Sequence, residues 1–438
     1  MRAVHTARKL PNDGVRNGWY ESLPPPDAPR RVSTTITADW AVLGAGACGL
    51  AAARRLGELR PDDTIAVVDA MRVGYGNSGR NAGFMLSHHS HGGIKHLDVA
   101  RQADRLFGCG YTYLRETVEA HQIRCDWSDQ GQIYVSASRE GDAHLDAVAD
   151  GFDALAVPQN RMDKDELQAV TGSRFYTAGV HVQGAALVQP AAMMRGLGAT
   201  LPANVTLYED SPVTELHTDG GMRLVCPDGE IVAKQLILTN HVFAEEMGFK
   251  RHRVVPLGLF ASLTRALTAD ERRHVGSGEQ FGLLPASPNG STVRLTVDGR
   301  ILMRNTFIYA RDKRFSDHLI ENAAANHRTS IAKRWPELED VDLTATWGGI
   351  MAMTRNEGRV FGEIAPGLHI VLTTDAAPMT RGTACGKLMA EKLCGIESEE
   401  LLFAEMIPEA AILPPDPVLR FVANHRLNKI ERTEPAER

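Results

Sequence analysis

Six residues near the start of this 438-residue chain, "GAGACG" at 44–49, set Gly44, Gly46 and Gly49 in the spacing G-x-G-x-x-G, and an acid, Asp69, stands twenty residues past the third glycine. The glycines do different things. Gly44 permits a tight turn, Gly46 lets the backbone approach a pyrophosphate, and Gly49 lets a helix pack against a sheet. Unpaired amides at the start of that helix face phosphates, and the Asp69 carboxylate is placed to accept both hydroxyls of a ribose. Alone the pattern is weak; between a strand and a helix it implies an adenine dinucleotide. A second stretch, "VGYGNSGRNAGFM" at 73–85, begins four residues after the acid and shows neither strand alternation nor a helical stripe. Its glycines and short amides offer backbone N–H groups to a ligand without side-chain obstruction. At 276–282 "GSGEQFG" has the wrong spacing for a further nucleotide site and no apolar strand before it, so a single site is expected.

The remaining chemistry-bearing clusters are weaker. "SHHSH" at 87–91 looks like a metal tract but has no carboxylates nearby, and a loop or channel role is the simpler reading, with no metal expected. Arg80 is read as a ligand contact in preference to a salt-bridge partner. Trp127, Tyr134 and Trp347 read as core, with Trp347, beside two glycines, the one placed to face a ligand. Cys48 and Cys385 fill packing gaps after glycine turns. The six cysteines lack any C-x-x-C pair and read as free thiols of a reducing cytoplasm. Neither H-E-x-x-H nor G-x-S-x-G occurs, which leaves no signal for a zinc or α/β-type hydrolase.

These residues need a scaffold, and composition allows an ordinary soluble one: 43% hydrophobic and 23% charged. A net charge of −6 argues against a broad nucleic-acid footprint. No apolar run approaches the roughly 20 residues that span a bilayer, and the opening residues lack the apolar core of a secretion signal. Residues 1–35, with "LPPPDAPRR", read as an extended arm. A strand over 39–43, a helix to about 59 and a strand over 64–69 make a βαβ unit with a right-handed crossover. Helical spacing recurs over 97–122, 139–172 and 316–334, and strands around Val205, Val213, Leu224 and Ile231 lead into "QLILTNH" at 235–241. A strand-plus-helix pair closes the pattern before 398, and the tail after 400 begins helically and runs out in "NKIERTEPAER".

With both motifs in hand, the chain resembles the FAD-dependent D-amino-acid oxidase superfamily, most nearly its gamma-glutamylputrescine oxidase-like and sarcosine oxidase-like branch. "SGRNAGF" at 78–84 is similar to that branch's S-G-R-N-x-G loop, and "CDWSDQGQIYVSAS", "GALVQPAAMMRGL", "LYEDSPVTEL", "RVVPL" and "WGG" fall in the family's order over about residues 18–398. The resemblance implies an α/β fold: a Rossmann-like FAD-binding domain over 36–96, 183–252 and 345–398, interleaved with an antiparallel-sheet α+β substrate domain over 97–182 and 253–344, and an extension over 399–438. It places FAD at Gly44, Gly46, Cys48, Gly49, Asp69 and Ala70, with Ser78, Arg80, Asn81, Ala82 and Gly83 on the flavin side, Val213 at the adenine, and Thr380 and Gly382 in the last segment. Two departures stand out. Where the family's last loop is glycine-rich, this chain has "TTDAAPMTRGTACG" at 373–386, with an intrusive Pro378. Where amino-acid-specific members carry an arginine that clamps a carboxylate, this chain has Met351. The expected activity is oxidation of a small amine or amino acid by hydride transfer to the flavin, giving an imine that hydrolyses, with reoxidation by O2 to H2O2. A dehydrogenase with another acceptor, or a flavin-binding subunit with little turnover, are the alternatives. His88, Met351 and Trp347 are the pocket candidates.

Overall fold

The apolar run Ile65–Val68 is buried at every position, as a parallel strand covered on both faces requires: helices lie on one face, and residues of the strands Glu215–His217, Met222–Cys226 and Val360–Ala365 on the other. It lies between Thr35–Leu43 and Val205–Tyr208, parallel to both. On the other side of Thr35–Leu43 runs Gly229–Leu238, also parallel. The second half of Gly229–Leu238 carries a further parallel partner, Leu368–Leu372, while its first half forms a hairpin with Met222–Cys226. The computed structural model describes residues 4–11, 16–88, 96–374, 377–433 and 435–438. Within them this first sheet has nine strands.

A second sheet has eight strands, in the order Leu343–Met353, Val255–Thr264, Ile301–Tyr309, Thr292–Leu295, Phe281–Pro285, Gln132–Ser136, Ala178–Val182 and Gln159–Met162. It is antiparallel except where Phe281–Pro285 meets Gln132–Ser136. One face is backed by the helix Asp317–Arg334, whose Ile331 joins Trp335, Val293 and Met303 in a core cluster.

Three helices cover one side of the first sheet: Ala47–Leu59, Leu97–Ala120 and Pro378–Leu393. They approach one another through glycines. A Cβ on Gly386 would stand 2.1 Å from the Cys48 carbonyl oxygen, and one on Gly110 would stand 1.8 Å from that of Thr380.

Several elements differ from the sequence reading, each for a local reason. The helical stretch 139–172 divides into Arg139–Ala154, the strand Gln159–Met162 and a second helix Lys164–Thr171, which Asp163 and Glu166 open with a reciprocal capping box. Val213 lies in a loop ahead of the strand Glu215–His217. The tail holds the helices Glu399–Met406 and Val418–Thr433, so "NKIER" is helical. Pro378 does not intrude: it occupies the first turn of the last helix, where its missing N–H costs nothing. The arm is more than an extended strap. Val4–Thr6 adds a strand to the first sheet, and Asn17 caps a short helix, Gly18–Glu21.

Candidate active site

A cavity of about 700 Å³ runs from the turn at Gly44–Gly46, past the loop at 76–82, to the second sheet at Trp347 and Arg304. The turn has the geometry its glycines demand. Gly44 has φ +112°, a region that L side chains rarely adopt. A Cβ on Gly49 would stand 1.8 Å from the Gly44 carbonyl oxygen, so helix and turn touch only because that atom is missing. Asp69 holds the turn from the next strand: its Oδ2 accepts from the Ala45 amide at 2.7 Å and its Oδ1 from the Met71 amide at 2.9 Å. Burial raises the Asp69 carboxyl to about 6, against the lowering by those two amides and with a further push from Glu209 and Asp210.

The loop that follows is braced by side chains from distant parts of the chain. The Ser78 hydroxyl accepts from the Ala47 amide, so loop and fingerprint helix meet at 3.0 Å. Asn81 donates to the Ser78 carbonyl and accepts from the Gly83 amide. Trp347 donates its indole N–H to the Arg80 carbonyl, and Trp19 donates to that of Asn81, at 2.9 and 2.8 Å. The fully buried Asn17 donates to the carbonyls of Gly74 and Gly79. Arg80 itself donates to the carbonyls of Tyr75 and Gly348. No ion pair to Arg80 occurs among the described residues, and burial lowers its guanidinium to about 10. Beside it, Asn77 accepts from the Ile350 amide and lies 3.4 Å from His241 Nδ1. Burial holds the His241 imidazole down to about 4, hence neutral at neutral pH.

The second sheet supplies the far wall as a row across its strands. Trp347 is opposite Ala261, Ala261 opposite Arg304, and Arg304 opposite Thr292. Leu284 and its partner Tyr134 continue it. Directly opposed residues share a face, and all six line the cavity. Within this wall Arg304 donates to the Thr292 hydroxyl and lies 5.6 Å from the Phe307 ring centroid. Burial lowers its guanidinium to about 10. The Tyr134 hydroxyl is buried with no hydrogen-bond partner among the described residues, and burial pushes its pKa up.

The cavity thus gathers Gly44, Gly46, Cys48, Asp69, Ala70, Ser78, Arg80, Asn81, Ala82, Val213, Trp347 and Met351. Gly49 and Gly83 lie behind it; a Cβ on Gly83 would collide with Arg294. Thr380 and Gly382 are buried in the last helix, while its first residues, Pro378 and Met379, line the cavity. His88 is not among the lining residues; its Nδ1 pairs with Asp104 at 2.9 Å. The rest of the histidine tract, His89 to His91, lies outside the described residues, as do Asp375 and Ala376 of the departing loop. Among the described residues no three His, Cys, Asp or Glu side chains gather as metal ligands do. Sequence reasoning misses Asn17, Trp19, Asn77, His241 and Arg304. Only Asn17 leaves a local signal, a capping residue just ahead of a glycine and two aromatics.

These residues fit FAD: the turn excludes any Cβ that would fill a pyrophosphate cradle, and Asp69 keeps lone pairs for hydroxyl donors. Similarity to known proteins agrees. The family described as FAD dependent oxidoreductase (DAO) matches residues 39–392. The Rhizobium meliloti (strain 1021) protein named "Probable oxidoreductase OrdL" is 27% identical over 414 residues, 89% of this chain and 91% of that protein. The "Gamma-glutamylputrescine oxidoreductase" of Escherichia coli (strain K12) is 24% identical over 377 residues, 83% of this chain and 85% of the other. Glycine oxidase from Geobacillus kaustophilus superposes with a TM-score of 0.68 at 19% identity, over 83% of this chain and 96% of that one, a likeness of fold.

Proposed function

The chain belongs to the FAD-dependent oxidoreductase (DAO) family, and on that premise we propose that it oxidises the C–N bond of a small amine or amino acid in the cavity between its two sheets. One observation carries the reading: a continuous cavity joins the dinucleotide turn to the wall of the second sheet through the braced loop. In this proposal Gly44, Gly46 and Asp69 hold the pyrophosphate and ribose, and residues 78–83 flank the flavin end. Segments 36–96, 183–252 and 345–398 form the FAD-binding part, and 97–182 and 253–344 the substrate part. FAD supplies the hydride acceptor.

The chain's own residues do the rest. Among the lining residues described, Asp69 is the one carboxylate, and it is committed to the turn. The described lining therefore offers the substrate amine no free carboxylate base, and the amine reacts in its neutral form. Trp347, Phe260 and Met351 give an apolar wall that excludes water and orients the substrate carbon. The N–H groups of the loop, and the start of the last helix at Pro378, place positive dipole near the cavity where negative charge develops. The imine product leaves and is hydrolysed, and O2 takes the electrons, giving H2O2. No disulfide joins any of the six cysteines, which supports a reducing, cytoplasmic setting. No helix among the described residues is long and apolar enough to cross a membrane.

Anaerobic mixing of the yellow holoprotein with polyamines, N-methyl amines and amino acids tests the proposal. Bleaching of the flavin band by at least one of them is expected; bleaching by none overturns it. Admission of air and assay of peroxide then separates O2 from another acceptor.

A further inference from the structure

Four buried guanidinium groups, those of Arg54, Arg80, Arg294 and Arg334, donate to backbone carbonyls. Arg304 differs. It lines the cavity, and its hydrogen-bond partner among the described residues is the Thr292 hydroxyl. A guanidinium presents five N–H donors in a planar fork that matches a carboxylate, and the Thr292 hydroxyl takes up only part of that fork. The fold also accepts strain to set an aromatic ring, that of Phe307, beside this side chain. Along a regular strand residues three apart point to opposite faces, yet Arg304 and Phe307 both line the cavity. A β-bulge makes this possible: Leu259 pairs with Phe307 while Phe260 pairs with Asn305, leaving Thr306 unpaired. Thr306 has φ +64°, an unfavourable region for a β-branched residue. Its hydroxyl is gripped by Arg438 at 2.7 Å and Asn305 at 2.9 Å.

Position sets what such a fork takes. Trp347 bonds the loop that the proposed function places beside the reacting C–N bond. Arg304 lies two strands further along the same row, about 10 Å at ordinary strand spacing, and reaches for Thr292 on the side away from Trp347. Resting on that function, we infer that Arg304 is a specificity residue that binds a carboxylate at the far end of the substrate amine, several bonds from the carbon that is oxidised. The substrate class is an ω-amino carboxylate rather than a simple amine or an α-amino acid. Met351, on the strand edge of the cavity, offers no competing fork.

The test compares glycine, 4-aminobutanoate, 6-aminohexanoate and 8-aminooctanoate, each with its methyl ester, by anaerobic flavin reduction. In the wild-type holoprotein kcat/KM rises from glycine to an optimum among the longer acids, and the ester of the best acid is at least ten-fold poorer, chiefly through KM. In R304M the acid-to-ester ratio falls towards one, and in R304K, which keeps the charge without the fork, it is intermediate. An optimum at glycine, equal rates for acid and ester in the wild type, or a ratio that survives R304M overturns the inference. Should R304M not fold, the wild-type length series and ester ratio still decide. If none of these amines bleaches the flavin, thermal shifts with glutarate and dimethyl glutarate separate the two claims. Stabilisation by glutarate alone, lost in R304K and R304M, upholds the anion site while the proposed reaction fails; equal shifts overturn it.

Discussion

The two ends of the cavity are built in opposite ways. At the parallel-sheet end the turn Gly44–Gly49 and the acid Asp69 lie within one βαβ unit, and the turn's backbone is held by the Asp69 carboxylate and the Ser78 and Thr239 hydroxyls. At the other end the wall is a row of side chains, each from a different strand. The first end tolerates almost no change, because its shape is the backbone itself. The second exchanges side chains freely, because the hydrogen-bonded ladder beneath does not depend on them. On the proposed function these are a fixed cofactor end and a variable substrate end, the division that lets one fold serve many substrates.

Substitutions should reproduce that contrast. The largest effect is expected at the turn: Gly49→Val forces atoms onto the Gly44 carbonyl and should cost about 3 kcal/mol or more. It should also abolish the flavin absorbance of the purified protein, and a yellow, stable variant would break the comparison. Next comes the loop between the ends. Asn17→Ala leaves the carbonyls of Gly74 and Gly79 without their side-chain donor, at a cost of about 1–3 kcal/mol by thermal or urea unfolding. FAD should bind more weakly in step.

A pH dependence should mark the cofactor end. The ligand-free protein holds a proton on Asp69 up to about 6, whereas in the proposed site the ionised carboxylate is the stronger acceptor for ribose hydroxyls. Below that pH the FAD dissociation constant should therefore rise about ten-fold per unit, or about 1.4 kcal/mol, and D69N should flatten the profile. The same raised pKa works in the opposite sense on the ligand-free fold: its contribution to stability is present below about 4 and lost as the pH rises through about 6. Titration of apoprotein by fluorescence quenching checks the first, and urea unfolding across that range the second. The smallest effect belongs to the indoles. Trp347→Phe and Trp19→Phe each remove one donor from adjacent loop carbonyls and should cost about 1 kcal/mol. Because both brace one loop, the double variant should depart from additivity.

The same contrast explains which parts are legible in the sequence. The turn, the acid and the S-G-R-N loop are contiguous runs whose spacing has a mechanical cause, and the structure gathers them on one cavity. The α/β architecture follows from the same unit. Arg304 leaves no such trace, since its place opposite Ala261 and Thr292 is set by pairing between distant segments, and the extra residue at Thr306 hides that Phe307 shares its face. Trp19 is hidden by its setting in a proline-rich arm. Pro378 reads as intrusive only when proline is weighed as a helix breaker rather than as a first-turn residue. The stretch 139–172 reads as one helical region because Gln159–Met162 lacks an apolar signature; it is a largely exposed edge strand.

Trp19 and Trp347 grip neighbouring carbonyls of one loop from opposite parts of the polypeptide. During synthesis, which runs from the amino end, the loop and its first clasp emerge early, and the second arrives only after the second sheet is nearly written. A nascent chain halted before residue 345 should carry every glycine of the fingerprint and still fail to retain flavin, since the second clasp, the strand Leu368–Leu372 and the last helix are all still to come.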